Sequence, residues 1–599
     1  MPVQDTEYTV KFDWKQWKRL FPFLRPYKKT IVIMLIGNQL VSLVDILLPL
    51  FQRYAINHFI AERTTDGVWE MALLYLVVIT VQALLVVLFC NCCMRLEMGT
   101  GRDMKRALFV HLQELSFSYY NTTPVGYILS RVINDTDKIA TLISWVLIDL
   151  LWEGMYVIGV FVVMFILDWR LALIVAVIVP VLAFLTAFFQ KRILHWNRRV
   201  RRIHSQVTSA YNEGIMGARA SKVLVIEDKN NEEFAQVTSQ MRIASVRAAR
   251  LNAVFVPLML FFSNLAAAMV LGRGGVMVGS RLMTIGTLSA FLTYAMGIFE
   301  PIQQLAAGLA EFISAEASIE RITSLLDEPV QVADSPEVIE KYGDSMHPRK
   351  ENWEEIRGDI EFQDVSFRYP DGKEEVLSHF NLKVPAGSTV ALVGETGAGK
   401  STLVNLVCRF FEPTEGRILI DSRDARERSQ LWLHSSIGYV LQNPYLFSGS
   451  VMENIRYGRL EASDEEVIRA AAAVRADEVA KKLENGWQTD VGESGDRLST
   501  GEKQLVSFAR AVLADPRIFV LDEATSSIDT ETEQLIQKAT EKLLAGRTSF
   551  VIAHRLSTIR SADIILVVRD GHIVESGSHS ELMKQKGYYY RLVNQQFAV

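Results

Sequence analysis

The chain has 599 residues, a formal net charge of −5, 49% hydrophobic residues and a mean hydropathy of +0.16. That length exceeds what one core organises, the small charge gives no general case for nucleic acid as a partner, and the hydropathy is high for a chain meant to stay in water. Four cysteines are too few for a disulfide framework at this size; Cys90, Cys92 and Cys93 sit in an apolar run without a histidine partner motif and read as small buried side chains, not zinc ligands.

Residues 1–10 are polar and do not resemble a signal peptide. From 11 to 29, Phe12, Trp14, Trp17, Leu20 and Phe21 alternate with Lys15, Lys18 and Arg19, the pattern of an amphipathic helix at a membrane surface. Six apolar runs then predict membrane spans at 30–55, 68–93, 139–167, 171–190, 251–271 and 285–304. The long connections after spans two and four are basic, with Arg102, Lys105 and Arg106 in one and Arg198, Arg199, Arg201 and Arg202 in the other; the remaining links are short and nearly neutral. The positive-inside bias puts both long loops, both termini and the second half of the chain in the cytoplasm. Helical periodicity persists into these loops, so the spans should continue as rods beyond the bilayer, with candidate docking segments at 120–127 and 212–221.

The sixth helical pattern continues through 305–326 and stops at Asp327-Glu328-Pro329, where a polar, proline-bearing linker begins. From 358 onward strand-like runs alternate with helical ones. The predicted fold is therefore an all-α membrane domain of six transmembrane helices over 1–326, a linker over 327–357, and an α/β domain over 358–599.

The chemistry lies in that last domain. A short strand at 388–393 and a helix at 400–407 bracket Gly394-Glu395-Thr396-Gly397-Ala398-Gly399-Lys400-Ser401, with Thr402 following. The glycines let the backbone curl so that its N–H groups converge on phosphate oxygens. Lys400 adds a point charge at the terminal phosphates, and the Ser401 hydroxyl is placed to ligate Mg2+. A second strand, 518–521, delivers Asp522 for the magnesium shell and Glu523 to polarise an attacking water. A third, 549–553, ends at His554, whose imidazole is suited to bond the γ-phosphate or that water. The α/β domain over 358–599 is therefore expected to be a P-loop NTPase, a nucleotide-binding domain, with ATP and Mg2+ as its cofactors.

With these parts in order, nearly the whole chain resembles a half-transporter of the ATP-binding-cassette (ABC) exporter family, multidrug type. The resemblance implies that Gln442, opening Gln442-Asn-Pro-Tyr-Leu-Phe447, senses magnesium and meets the membrane domain's docking helices. It implies that Tyr369 stacks on adenine, worth on the order of 1 kcal/mol, and that Asp529 of Ser526-Ser-Ile-Asp529 crosses a dimer interface. The family's signature, Leu-Ser-Gly-Gly-Gln, contacts the γ-phosphate of ATP held by the other cassette. Here it reads Leu498-Ser499-Thr500-Gly501-Glu502. Thr500 adds a β-branched side chain where close backbone approach is wanted. Glu502 suits the helix dipole but repels a nearby anion. An intact Glu523 beside an altered signature resembles the catalytically competent half of a bacterial heterodimer, so a second half-transporter is expected as partner, with a homodimer as the alternative.

The cargo has to be argued from intramembrane charges. Asp45, Asp149, Glu153 and Glu300 lie within the predicted spans, near aromatics such as Phe291, Tyr294 and Phe299. They either line a cavity for cationic amphipathic compounds or pair with basic groups and snorkel to the surface. The expected function is ATP-driven export of amphipathic or hydrophobic small molecules across the bacterial inner membrane. Lipid flipping and peptide export are the alternatives of the same class, and an ATP-gated regulator is the alternative of another.

Overall fold

The computed structural model describes residues 14–370, 372, 374–395, 397–522, 530–553 and 555–596. Contacts divide the chain into two units. One runs to Leu112 and resumes over Val125–Glu328; the other joins Gln113–Pro124 to the chain from Pro329 onward.

The first unit is built from helical runs, Trp14–Ala61, Val68–Glu114, Val125–Leu167, Trp169–Met216, Glu227–Gly279 and Ile285–Leu326, six in number and each apolar enough to cross a membrane. They are 42 to 53 residues long, about 63–80 Å at 1.5 Å per residue, more than twice a bilayer's hydrocarbon core. The rods predicted from periodicity are therefore present. Within Val68–Glu114 none of the most apolar window is buried within the chain; Leu73, Leu84 and Val87 face outward, as suits a surface turned to lipid. The turns are set by short polar caps. Asp168 accepts from the N–H groups of Arg170 and Leu171 at 2.9 and 3.2 Å to open Trp169–Met216, and Thr284 caps Ile285 onward through the N–H of Thr287. A core of Val160, Leu171, Val175, Phe255, Phe291 and Tyr294 binds the helices together.

The amphipathic segment is helical over Trp14–Lys18. Its Trp17 is buried and stacks on Phe312 at 4.5 Å, and Arg19 pairs with Asp327, so this helix packs against the end of the sixth run.

The docking segments differ in detail from the periodicity. The stretch 120–127 is not one helix: Phe117–Thr122 ends at Thr123, which precedes Pro124 and is extended, and Val125–Ser130 begins anew. At the second loop the long helix continues to Met216; Gly217 interrupts it, and Ala218–Leu224 follows, stopped by Val225 at φ 53°.

The second unit holds two sheets. Strands β1 (Ile360–Phe367), β2 (Leu377–Val384), β4 (Glu415–Ile420) and β5 (Arg423–Asp424) form an antiparallel sheet in the order β2-β1-β4-β5. Strands β3 (Thr389–Val393), β6 (Ile437–Val440), β7 (Ile518–Asp522), β8 (Thr548–Ile552), β9 (Ile564–Arg569) and β10 (His572–Gly577) form the second, ordered β10-β9-β3-β8-β7-β6. Strands β9, β3, β8, β7 and β6 are mutually parallel, with β10 antiparallel at the edge. Strands β3 and β8 are buried at every position, which explains why they show no polar alternation: after Thr389 in β3 and Thr548-Ser549 in β8 every residue is apolar. The helix Lys400–Val407 buries Leu403, Val404, Leu406 and Val407 against β1 and β2 residues such as Phe362 and Phe380, each contributing about 1.5–3 kcal/mol.

Candidate functional site

Register decides which residues meet. Leu392 on β3 and Asp522 on β7 both pair with Ile552 of β8, and Val440 of β6 pairs with Leu521. The carboxyl ends of β3, β8, β7 and β6 therefore lie level along one sheet edge, where open parallel sheets bind ligands. The loop 394–399 leaves β3 there, Gln442 follows β6 and is exposed, and Asp522 closes β7 half-buried. Glu523, Thr396, Asp529 and His554 lie outside the described residues.

The phosphate loop turns through left-handed backbone at Gly397 (φ 87°) and Gly399 (φ 104°), where a side chain would be strained. Gly399 is the N-cap of Lys400–Val407, so the helix's first N–H groups open onto the loop. Lys400 is only 9% exposed. Its ammonium donates to the carbonyls of Gly394 and Glu395, each at 2.7 Å, and no described carboxylate forms an ion pair with it. Burial lowers its pKa, and the Asp522 carboxylate opposes that shift. A desolvated cation ringed by backbone is suited to a polyanion. Ser401 is exposed beside it, Thr402 is buried, and Ala398 packs into the core. Ser401 and Asp522 offer one hydroxyl and one carboxylate, a donor set that fits a hard cation keeping phosphate and water as its other ligands.

Tyr369 is tied to this loop: its hydroxyl bonds Thr402 Oγ1 at 3.0 Å, and its ring meets Phe367 and Phe411 edge-on at 4.9 and 5.2 Å. From the other end of the domain, Tyr588 donates its hydroxyl to Glu395 Oε1 at 2.8 Å. No sequence signal links these two residues.

The signature lies apart from this loop. Ser499 is the N-cap of Thr500–Ala514 and forms a capping box with Glu502. Glu502 Oε2 accepts from both the N–H and the hydroxyl of Ser499, each at 2.9 Å. Leu498 and Gly501 are buried, while Ser499 and Thr500 are exposed. Lys482, Glu478, Ser499 and Glu502 line a hollow of about 260 Å³ that includes no phosphate-loop residue.

Within the first unit, Asp45, Asp149, Glu153 and Glu300 line one cavity of about 750 Å³, joined by Glu311 and by the stacked rings of Trp152 and Tyr156, 5.4 Å apart. Among the described residues no lysine, arginine or histidine lines it. Asp45 accepts from Gln82 Nε2 at 2.7 Å. Glu153 is 7% exposed, and makes no hydrogen bond or ion pair with a described residue. Tyr294 is not in this cavity: it is fully buried and donates its hydroxyl to the Ile46 carbonyl at 2.6 Å. Phe291 and Phe299 likewise belong to the core. Glu311 was legible in principle, since it lies 11 residues after Glu300 and so about three turns along the same helical face. Trp152 and Tyr156 share the face of Asp149 and Glu153 by the same rule.

Residues 31–302 match the family described as the ABC transporter transmembrane region, and residues 377–526 the one described as ABC transporter. A probable multidrug resistance ABC transporter ATP-binding/permease protein of Bacillus subtilis (strain 168) is 37% identical over 503 residues, covering 83% of this chain and 72% of that protein. An ATP-dependent lipid A-core flippase of Desulfotalea psychrophila is 35% identical over 579 residues, 97% of this chain and 99% of the flippase.

This chain is an ABC exporter half-transporter.

The fold agrees with that of a bacterial Atm1-family ABC exporter with ATP bound, at a TM-score of 0.75, 28% identity, and coverage of 96% of this chain and 99% of the other. The exporter is accordingly a multi-pass membrane protein that binds nucleotide, couples ATP hydrolysis to transport and works as a dimer.

Proposed function

We propose that this half-transporter is the hydrolysing half of a heterodimer that exports hydrophobic or cationic amphipathic molecules. It would do so across the bacterial cytoplasmic membrane, with its amino terminus and ABC domain on the cytoplasmic side. In this reading the backbone of 394–399, Lys400 and Thr402 hold the phosphates of ATP, and Tyr369 lies against the base. Glu523 orients and polarises the attacking water, with His554 and Gln442 completing its shell, and Asp529 crosses to the partner. Ser401, Gln442 and Asp522 would hold Mg2+, which when bound neutralises charge on the phosphates. Residues 498–502 serve the partner's ATP.

The capping box carries the asymmetry. The donors that a γ-phosphate would take from Ser499 are already engaged by the Glu502 carboxylate, and an anion beside them opposes a second anion. Glu502→Gln keeps the capping geometry and removes the charge. Its expected effect is an apparent ATP affinity up to about fivefold tighter, from roughly 1 kcal/mol of relieved repulsion, at unchanged thermal stability. Equal affinity in nucleotide-binding titrations of the two proteins would remove this argument. The assembly itself is tested by purifying the chain with and without a candidate partner half: strong ATPase activity from the chain alone excludes the obligate heterodimer.

The acid-lined cavity supports a cationic cargo. Asp149→Asn combined with Glu153→Gln should weaken vesicle uptake of tetraphenylphosphonium by about tenfold or more, as expected for losing two charges from a poorly solvated site, and should spare a neutral dye. Equal losses for both probes would sink the charge-selection idea. Lipid translocation is the second reading, supported by the flippase relative; five carboxylates with no basic residue among the described lining disfavour an anionic headgroup.

A further inference from the structure

The second unit contains a buried charge cluster that neither the nucleotide site nor the cargo cavity uses. Arg409 follows the helix Lys400–Val407, sits at φ 53°, and has a side chain only 4% exposed. Its Nη1 donates to Asp334 Oδ1 and to the Arg428 carbonyl, both at 2.8 Å, and its Nη2 donates to Glu412 Oε1 at 3.1 Å. Asp334 also accepts from the backbone N–H of Gln430 at 3.0 Å. That N–H opens the helix Gln430–Ser435, whose own N-cap Ser429 makes no side-chain cap. Asp334 therefore caps a cassette helix from a segment that is distant in sequence and reads as mere linker.

The same segment holds the first docking loop. Gln331 Oε1 accepts from Ser118 Oγ at 2.6 Å, and the Val332 N–H donates to Ser116 Oγ at 2.9 Å. Between them, Phe117 packs on Phe410 with ring centroids 4.3 Å apart. A cavity of about 410 Å³, bordered by Phe117, Asp334, Phe410 and His434, lies among these contacts. Residues 331–334 thus grip 116–118 on one side and the far end of the phosphate-loop helix on the other.

We infer that the strap 331–334 is a working part of the coupling joint and that Asp334 is its positioning residue. The inference rests on the reading of 394–402 as the ATP site. The helix Lys400–Val407 is a rod of about 12 Å, with the nucleotide charge at one end and Arg409 at the other. Arg409 is buried and held by three acceptors, so it cannot absorb a shift of the rod by swinging through solvent. A displacement at Lys400 passes through the Arg409–Asp334 pair to Gln331 and Val332, and from them to Ser116 and Ser118. Direct packing of Phe117 on Phe410 fixes where the loop sits, and the strap sets how it moves.

The test is hydrogen exchange on the full-length dimer with and without Mg-ATP, comparing amides 113–124 with amides 394–402. In the unaltered protein ATP should slow exchange in both regions by about fivefold or more. Asp334→Asn keeps an acceptor oxygen and removes the charge, and Gln331→Ala cuts the other end at an exposed position. In either variant the response should persist at 394–402 and fall below about twofold at 113–124. A full response at 113–124 in both variants overturns the inference. So does an unaltered protein that responds at 394–402 and not at 113–124. Absence of any response at 394–402 in the unaltered protein instead overturns the assignment of the ATP site.

Discussion

Lys400→Met is expected to lower ATPase turnover by at least about a hundredfold, the loss typical of removing one preorganised donor from a reacting phosphate or oxyanion. The structure supplies two reasons. The ammonium is nearly excluded from water, where a charge acts on a phosphate with far greater effect than at a surface, and it ties the loop to itself through the carbonyls of Gly394 and Glu395. Methionine fills the same volume without either contribution, so folding should survive. Phosphate release and nucleotide binding measured together check this: both should fall. A variant that hydrolyses ATP within tenfold of the parent would show that the loop holds phosphate by backbone alone.

Glu523→Gln is expected to have an effect of similar size by a different route. Glutamine keeps the shape and loses the basic oxygen, and general-base catalysis contributes about 10²- to 10⁴-fold. ATP binding should therefore persist while turnover stops. In the proposed heterodimer one such substitution should suffice, because the partner's site would hold the altered signature of this chain. Retention of half the activity would point to two equivalent sites and hence to a homodimer. The contrast between the two variants is diagnostic: Lys400→Met loses binding and turnover together, whereas Glu523→Gln separates them.

The elements that proved legible share a cause. The six membrane runs, the strands β3, β7 and β8, and the helix Lys400–Val407 all carry long or periodic apolar stretches, turned to a protein core or to the membrane. For such segments the local pattern and the tertiary environment make the same demand. The helix end at Leu326 was readable because Asp327 and Pro329 stop the periodicity. The docking segments were read a few residues away from their observed places, since Thr123-Pro124 and Gly217 act through backbone geometry, not through hydrophobic pattern. Aromatic residues were the other difficulty. Tyr294 has the composition of a cavity wall, yet it turns to the Ile46 carbonyl and leaves the wall to Trp152 and Tyr156.

By itself the sequence determined the kind of machine: spans long enough to cross a bilayer, a phosphate loop between strand and helix, an acid pair after a second strand, and a signature with Thr500 and Glu502 in it. Those are local properties, carried by residue type and spacing. Tertiary structure alone decided which separated residues meet. It put Asp522 level with the phosphate loop through the register on β8 and gathered five carboxylates from three helical runs into one cavity. It also made a linker aspartate the partner of Arg409 across 75 residues of chain. Side-chain direction and strand register are set by packing against the whole, and no window of sequence contains them.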